Sequence, residues 1–217
     1  MEKVLGFLKQ LAKNNNREWF NDNRKWYEES RDKMLFLTDV LINEIGEIDP
    51  AVRGLSPKDC VFRIFRDVRF SKDKRPYKTN FGSFICKGGR KSMNPGYYFH
   101  IEPGGCFAAG GIYMPPAPVL KTIRGYLDHH AEEFLRITNE PAFKKEFPEM
   151  YEDKLKLAPK GFPKDHEFIE LLKYKSFIFS KPLEEKLVSS ENYIKEMVSL
   201  YERLYPVNQF LYEALAE

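Results

Sequence analysis

The chain has 217 residues, of which 42% are hydrophobic and 15% aromatic, enough apolar side chain to fill one sizeable core. Charged residues make up 31% and the formal net charge is +3, the balance of an ordinary globular surface. No window approaches the roughly 18 apolar residues of a membrane span, and Glu2, Lys3 and Lys9 interrupt the start before it reaches the apolar run of about 7–15 residues of a secretory leader.

Taken in chain order, Val4, Phe7, Leu8 and Leu11 fall at i, i+3, i+4 and i+7 and predict an amphipathic helix. The run Asn14–Asn16 ends it, with Asn16 placed to cap a short turn at Arg17–Phe20. A longer helix is expected from about Asn23 to Gly46, carrying Trp26, Met34, Leu37, Leu41 and Ile45 on one side and closed by Gly46 and Pro50.

The middle of the chain changes period. Cys60–Phe70 is rich in β-branched and aromatic residues and reads as a strand, followed by strands at Asn80–Cys86, Gly96–Glu102 and Cys106–Met114. Pro103-Gly104-Gly105 supplies a preset first turn position and a glycine that accepts positive φ, so the last two should form a tight antiparallel hairpin. Lys87–Gly96 is polar and rich in Gly, Pro and Asn, and reads as an exposed, mobile loop. Cys60, Cys86 and Cys106 lie in these expected strands without a CxxC spacing, the pattern of small buried hydrophobes in a reducing compartment, and the expected location is cytoplasmic.

The carboxy-terminal half returns to helices: about Pro118 to Thr138, then short ones near Pro141–Phe147 and His166–Lys173, with one strand at Lys175–Lys181 between them and the end. The last helix should start at Ser190, set Ile194, Met197, Tyr201 and Leu204 on one face, and break at Pro206. No repeat or linker divides the chain. The expectation is a single domain over residues 1–217, of α+β class, with a mainly antiparallel central sheet flanked by amino- and carboxy-terminal helices.

Charge is unevenly placed. Between Lys58 and Lys91 there are eleven basic residues against only Asp59, Asp67 and Asp73, so the remainder of the chain is net acidic. Such a segment points to an anionic partner, and the competing reading is a solvated face balanced by acidic helices. Searches for a GxGxxG loop, a complete P-loop, HExxH, an EF-hand loop or a GxSxG elbow find nothing, and the four histidines show no ligand spacing. No metal or other cofactor is expected.

Arg66-Asp67-Val68-Arg69-Phe70-Ser71-Lys72-Asp73-Lys74-Arg75-Pro76-Tyr77-Lys78 carries an RDxRFSxDKxPYK pattern, and with it the chain resembles a microbial family of conserved hypothetical proteins, a domain of unknown function. Asn14–Phe20, Gly96–Gly105 and Gly161–Lys173 resemble the family as well, so the likeness spans nearly the whole chain. It implies kinship and supplies no activity, substrate or catalytic residue.

The residues themselves offer two constellations. If Cys60–Phe70 is a strand, Phe62, Ile64, Arg66, Val68 and Phe70 share one face, and Arg66 in that apolar row must find an acid or several carbonyls. It is either an internal ion pair with a helix carboxylate or part of an anion clamp. The second is Tyr98, His100 and Glu102 on one strand face opposite the small residues Ala108–Gly111, which leave room for a pocket. His100 is either an acid/base group paired with Glu102 or a histidine hydrogen-bonded to its neighbours.

Three function classes follow. The first in rank is a small-anion site for phosphate or carboxylate, with or without catalysis: Arg63, Arg66, Arg69, Lys74 and Lys78 hold the anion, Asp67 orients an arginine, and Tyr77, His100 and Glu102 supply proton chemistry. The second is a nucleic-acid-binding module and the third a non-catalytic interaction protein. The first is preferred because acidic residues are mixed among the cations and the sequence pI, near 8.6, falls short of the value above about 9 typical of polyanion-binding domains.

Overall fold

A computed structural model describes residues 1–216 of the chain. Its elements, in order, are α1 (Glu2–Lys13), α2 (Arg17–Asp22), α3 (Arg24–Ile48), a 3-10 turn (Pro50–Val52), α4 (Pro57–Cys60), β1 (Phe81–Cys86), β2 (Gly96–Ile101), β3 (Phe107–Ile112), α5 (Ala117–Thr138), α6 (Pro141–Glu146), α7 (Ile169–Leu172), β4 (Phe177–Pro182), α8 (Glu185–Val188) and α9 (Tyr193–Ala216). The fold is α+β, with one antiparallel four-stranded sheet in the order β1-β2-β3-β4 and helices at both ends of the chain. Among the described residues, no helix is long and apolar enough to cross a membrane.

The stripe that predicts α1 is the stripe that is buried: Val4, Phe7, Leu8 and Leu11 have no exposed surface. Asn16 Oδ1 accepts the Trp19 N–H at 2.9 Å, the expected cap of α2. Helix α3 passes through Gly46 and continues to Ile48. Its stop comes from Asp49, whose carboxylate caps the Pro50–Val52 turn through Ala51 N–H (3.0 Å) and accepts the Tyr97 hydroxyl (3.0 Å).

The sheet separates two environments. Phe81, Ile85, Tyr97, Phe99, Ile101, Ala108, Phe177 and Phe179 point to the helical side, where β1 packs on α3 and β2 and β3 on α9. Helix α9 lies close on β3, since a Cβ on Gly110 would come within 2.9 Å of Leu204 Cδ1. The same closeness explains why Pro206 does not end α9, as its position suggests. Met197, Tyr201 and Leu204 before it and Val207, Phe210 and Leu211 after it are all buried, and that burial outweighs the roughly 3 kcal/mol of an interior proline. In the β2–β3 hairpin Gly104 takes φ +74° and Gly105 N–H bonds Glu102 O at 3.0 Å, as the turn residues require.

The expected strand at Cys60–Phe70 does not form. What remains are the isolated bridges Val61↔Ser83 and Phe65↔Tyr77, with Phe62 N–H to Gly82 O (3.0 Å), Arg66 N–H to Pro76 O (2.9 Å) and Lys78 N–H to Ile64 O (2.8 Å). Residues 61–78 thus make an arm folded back on itself beside β1. The cause is local: Asp67 Oδ1 accepts Arg69 N–H (3.2 Å) and Asp73 Oδ1 accepts Arg75 N–H (3.0 Å), two Asx turns that offer the backbone an alternative to a ladder.

The Lys87–Gly96 loop is exposed at Lys87, Gly88, Lys91 and Met93 and is held by hydrogen bonds. Arg90 N–H bonds Asp59 O (3.0 Å), Asn94 Nδ2 bonds Lys87 O (2.9 Å), and the Tyr212 hydroxyl bonds Pro95 O (3.0 Å). The cysteines are free and buried, although only Cys86 lies in a strand; Cys60 ends α4 and Cys106 precedes β3. The arginine that is buried on carbonyls is Arg124 of α5, which donates to Leu172 O (2.7 Å) and Tyr174 O (2.9 Å).

Candidate functional site

Strand alternation turns Gly82, Phe84, Tyr98, His100, Phe107, Ala109 and Ser180 to the face of the sheet opposite α3 and α9. These residues floor a cleft of about 1030 Å³, at the upper end of the range for small-molecule sites. The arm forms one wall with Phe62, Arg63, Lys78 and Asn80, and Tyr113, Met114 and Tyr151 lie on the lining beyond. Room exists because Tyr98 faces Ala109 across the hairpin, one of the small residues of Ala108–Gly111.

The second constellation assembles on this floor. His100 Nδ1 lies 2.8 Å from the Tyr98 hydroxyl and 3.4 Å from Asn80 Nδ2, while Nε2 lies 3.2 Å from Glu102 Oε2. With the Asn80 amide nitrogen donating, the arrangement matches the tautomer in which Nδ1 accepts and Nε2–H faces the Glu102 carboxylate. Glu102 Oε1 accepts the Thr79 hydroxyl at 2.8 Å. The imidazole is stacked on Phe107, with centroids 4.7 Å apart at 16°, and only 14% of its side chain is exposed. Burial, and then the Glu102 charge, push the Tyr98 phenol up to about 12.

The cations divide into two groups. Arg66 bonds Asp73 (2.5 Å) and Arg75 O (3.3 Å), Arg69 chelates Asp67 (2.7 Å), and Lys74 donates to Val68 O (3.0 Å). Arg66 therefore pairs with a carboxylate of its own arm and not with a helix, and the arginine that Asp67 bonds is Arg69, outside the cleft lining. These residues hold the arm together, and Arg66, Asp67, Arg69 and Lys74 do not line the cleft. Arg63 and Lys78 do line it, and among the described residues neither has an ion pair. Lys78 Nζ sits 5.6 Å over the Phe62 ring, and burial, followed by the nearby Arg63, lowers its ammonium from the ordinary lysine value.

Tyr77 is not part of the site. It is 5% exposed, stacked on Phe20 at 3.9 Å, and its backbone is clasped by Asn15 in both directions (3.0 and 3.1 Å). Neighbours along an extended segment alternate, so with Lys78 turned to the cleft Tyr77 turns to the core. Asn80, Thr79 and Gly82 enter the site unannounced, because they depend on the pairing register of β1 with β2. Among the described residues no cluster of His, Cys, Asp and Glu is arranged to hold a metal ion.

A family model described as Conserved hypothetical protein (DUF2461) matches residues 3–210 of the chain. No curated protein and no solved structure matches it.

Proposed function

The chain belongs to the DUF2461 family of conserved hypothetical proteins, and we propose that the cleft of this member binds a small organic anion, a carboxylate or phosphate ester with an apolar body. The observation that carries this reading is the pair Arg63 and Lys78. They are the cations of the arm that face the cleft, held near enough to depress Lys78, while the arm's carboxylates serve Arg66, Arg69 and Arg75. Asp67, whose carboxyl is lowered chiefly by Arg69, is near enough for the Arg63 charge to add to that effect, but among the described residues neither Arg63 nor Lys78 is in an ion pair. Two like charges so placed are an unfavourable arrangement that a bound anion relieves. Beyond them the floor is aromatic, with Phe62, Phe84 and Phe107 suited to an apolar body. Three free, buried thiols fit a reducing compartment, and we place the protein in the cytoplasm.

Thermal melts with inorganic phosphate, phenyl phosphate and benzoate test the reading. The aromatic anions should stabilise the fold more than inorganic phosphate, approaching about 2.7 kcal/mol at 100 times the dissociation constant. The effect should be lost in Arg63→Ala and Lys78→Ala and kept in Arg75→Ala. A second reading, single-stranded nucleic acid stacked on the open face, has one observation in its favour: Phe70 at the tip of the same basic arm is 96% exposed. Melts indifferent to all three anions, with salt-sensitive oligonucleotide binding, would reverse the order of the two.

A further inference from the structure

The row Tyr98–His100–Glu102 is ordered, and its order singles out one atom. One Glu102 oxygen faces His100 and the other takes the Thr79 hydroxyl. Both His100 nitrogens are engaged, and one ring face is covered by Phe107. The Tyr98 oxygen has a single hydrogen bond, to Nδ1, and so keeps accepting capacity toward the cleft that its side chain lines. The sequence points to His100 and Glu102 as the chemical groups; the geometry sets the Tyr98 hydroxyl beside His100 on the cleft floor, with Glu102 on the far nitrogen of the ring.

Building on the anion-cleft reading, we propose that Tyr98 is the catalytic residue of an acid–base reaction on the bound anion, with His100 and Glu102 as the relay behind it. One ring, Phe62, separates the Lys78 ammonium (5.6 Å from its centroid) from the Tyr98 ring (6.2 Å, edge to face). In this proposal the ligand's carboxylate is held by Arg63 and Lys78, its next carbons run over Phe62 toward Tyr98, and its apolar body rests on Phe84 and Phe107. The fitting ligand is a 2-oxo carboxylic acid with an apolar substituent and an acidic C–H beside the carbonyl. In the step, the Tyr98 oxygen takes the proton from that carbon as its own hydroxyl proton passes to His100 Nδ1. The C–H electron pair moves into the carbonyl to give an enolate, and Glu102 opposes the imidazolium charge. Tyr98 then protonates the enolate oxygen and recovers its proton from His100. The net change is a keto–enol isomerisation that consumes no other reactant.

Phenylpyruvate is a suitable probe, since its enol absorbs in the ultraviolet and its methylene protons exchange visibly in deuterated water. The wild-type protein should bind it, seen as a raised melting temperature, and should accelerate exchange over buffer by about 10²–10⁴-fold, the range of one positioned acid–base group. Tyr98→Phe, which keeps the ring, should still bind and lose the acceleration; Glu102→Gln should bind and retain only part of it. Arg63→Ala should lose both. Binding without acceleration, or acceleration unchanged in Tyr98→Phe, overturns the relay and leaves the anion cleft standing. Absence of binding overturns both. The nitrogen-15 shifts of His100 in each variant show whether the imidazole keeps its place, so a displaced ring is not mistaken for a missing proton donor.

Discussion

The Tyr98 hydroxyl stands where a methyl group on Gly82 would have to be, so the two residues share one volume on the open face of the sheet. Gly82 sits across from His100 in the β1–β2 register, so the absent side chain lets the phenol lean over β1 and reach the imidazole. Gly82→Ala should therefore act directly on the position of the Tyr98 hydroxyl. The expected outcome is a loss of about 1–3 kcal/mol, typical of an added methyl in a filled space, and a displaced Tyr98. A denaturation curve reports the first and the His100 imidazole shifts the second. A variant with wild-type stability and unchanged His100 resonances would show that the phenol does not depend on the glycine.

The thiols give a second outcome. Burial, then Cys86 and Asp59, push Cys60 up to about 12, and burial likewise raises Cys86 and Cys106. A thiol so shifted is almost entirely protonated at pH 8, and the nucleophile is the thiolate. A bulky aromatic disulfide reagent should leave all three unlabelled in the native protein at pH 8 and label all three in denaturant. Cys106 is the stringent case because it also borders the cleft. Rapid native labelling of even one cysteine would contradict the buried, protonated state.

The arm offers a third, with its sign fixed by Asp73. The guanidiniums of Arg75 and then Arg66 hold the Asp73 carboxyl well below the usual carboxylate range. A depressed carboxylate contributes stability above its unfolded value, near pH 4, and loses it only as pH falls through the lower folded value. The amide and guanidinium resonances of Arg66 and Arg75 should thus hold steady through pH 4 and move only in stronger acid. A transition centred at pH 4 would mean that the pairs do not persist in solution. The same geometry gives the outcome for Arg66→Ala: the Arg66 and Asp73 side chains are 24% and 36% exposed, so the loss should be a loosened arm with little change in the global midpoint.

These outcomes show which parts of the molecule the chain announces and which it conceals. Helices α1 and α2 and the hairpin between β2 and β3 are carried by neighbours within a few residues, and period, cap and turn chemistry suffice to see them. The open face of β2 follows from alternation alone, which is why Tyr98, His100 and Glu102 stand together both in the sequence and in space. The Cys60–Phe70 arm deceives because its β-branched and aromatic content outshouts two short Asp-x-Arg turns, Asp67-Val68-Arg69 and Asp73-Lys74-Arg75, which decide its path. Pro206 deceives for the opposite reason, a local rule being overruled by burial along all of α9. The partition of the cations was hidden as well: whether Arg66 or Lys78 faces the cleft depends on how the arm folds back, and no spacing encodes that.

That partition leads to a last prediction, in which stability and binding move in opposite directions. Lys78 is half-buried beside Arg63, and both effects depress its ammonium. Its folded pKa lies below the unfolded value of about 10.4, so between the two the unfolded chain holds more protons and stability rises with pH. Below that window the charged Lys78 is a constant penalty to the fold. Lys78→Met keeps an apolar stem against Phe62 and removes both the charge and its repulsion with Arg63. Without ligand the variant should melt at or above the wild-type temperature, and the rise of wild-type stability toward alkaline pH should flatten. With phenyl phosphate the ranking should invert, the variant binding at least tenfold more weakly, about 1.4 kcal/mol. Wild-type affinity should itself fall as pH climbs through the lowered Lys78 value, because only the ammonium attracts the anion. A less stable Lys78→Met in a protein that ignores anions would make Lys78 a structural residue and leave the cleft without its anchor.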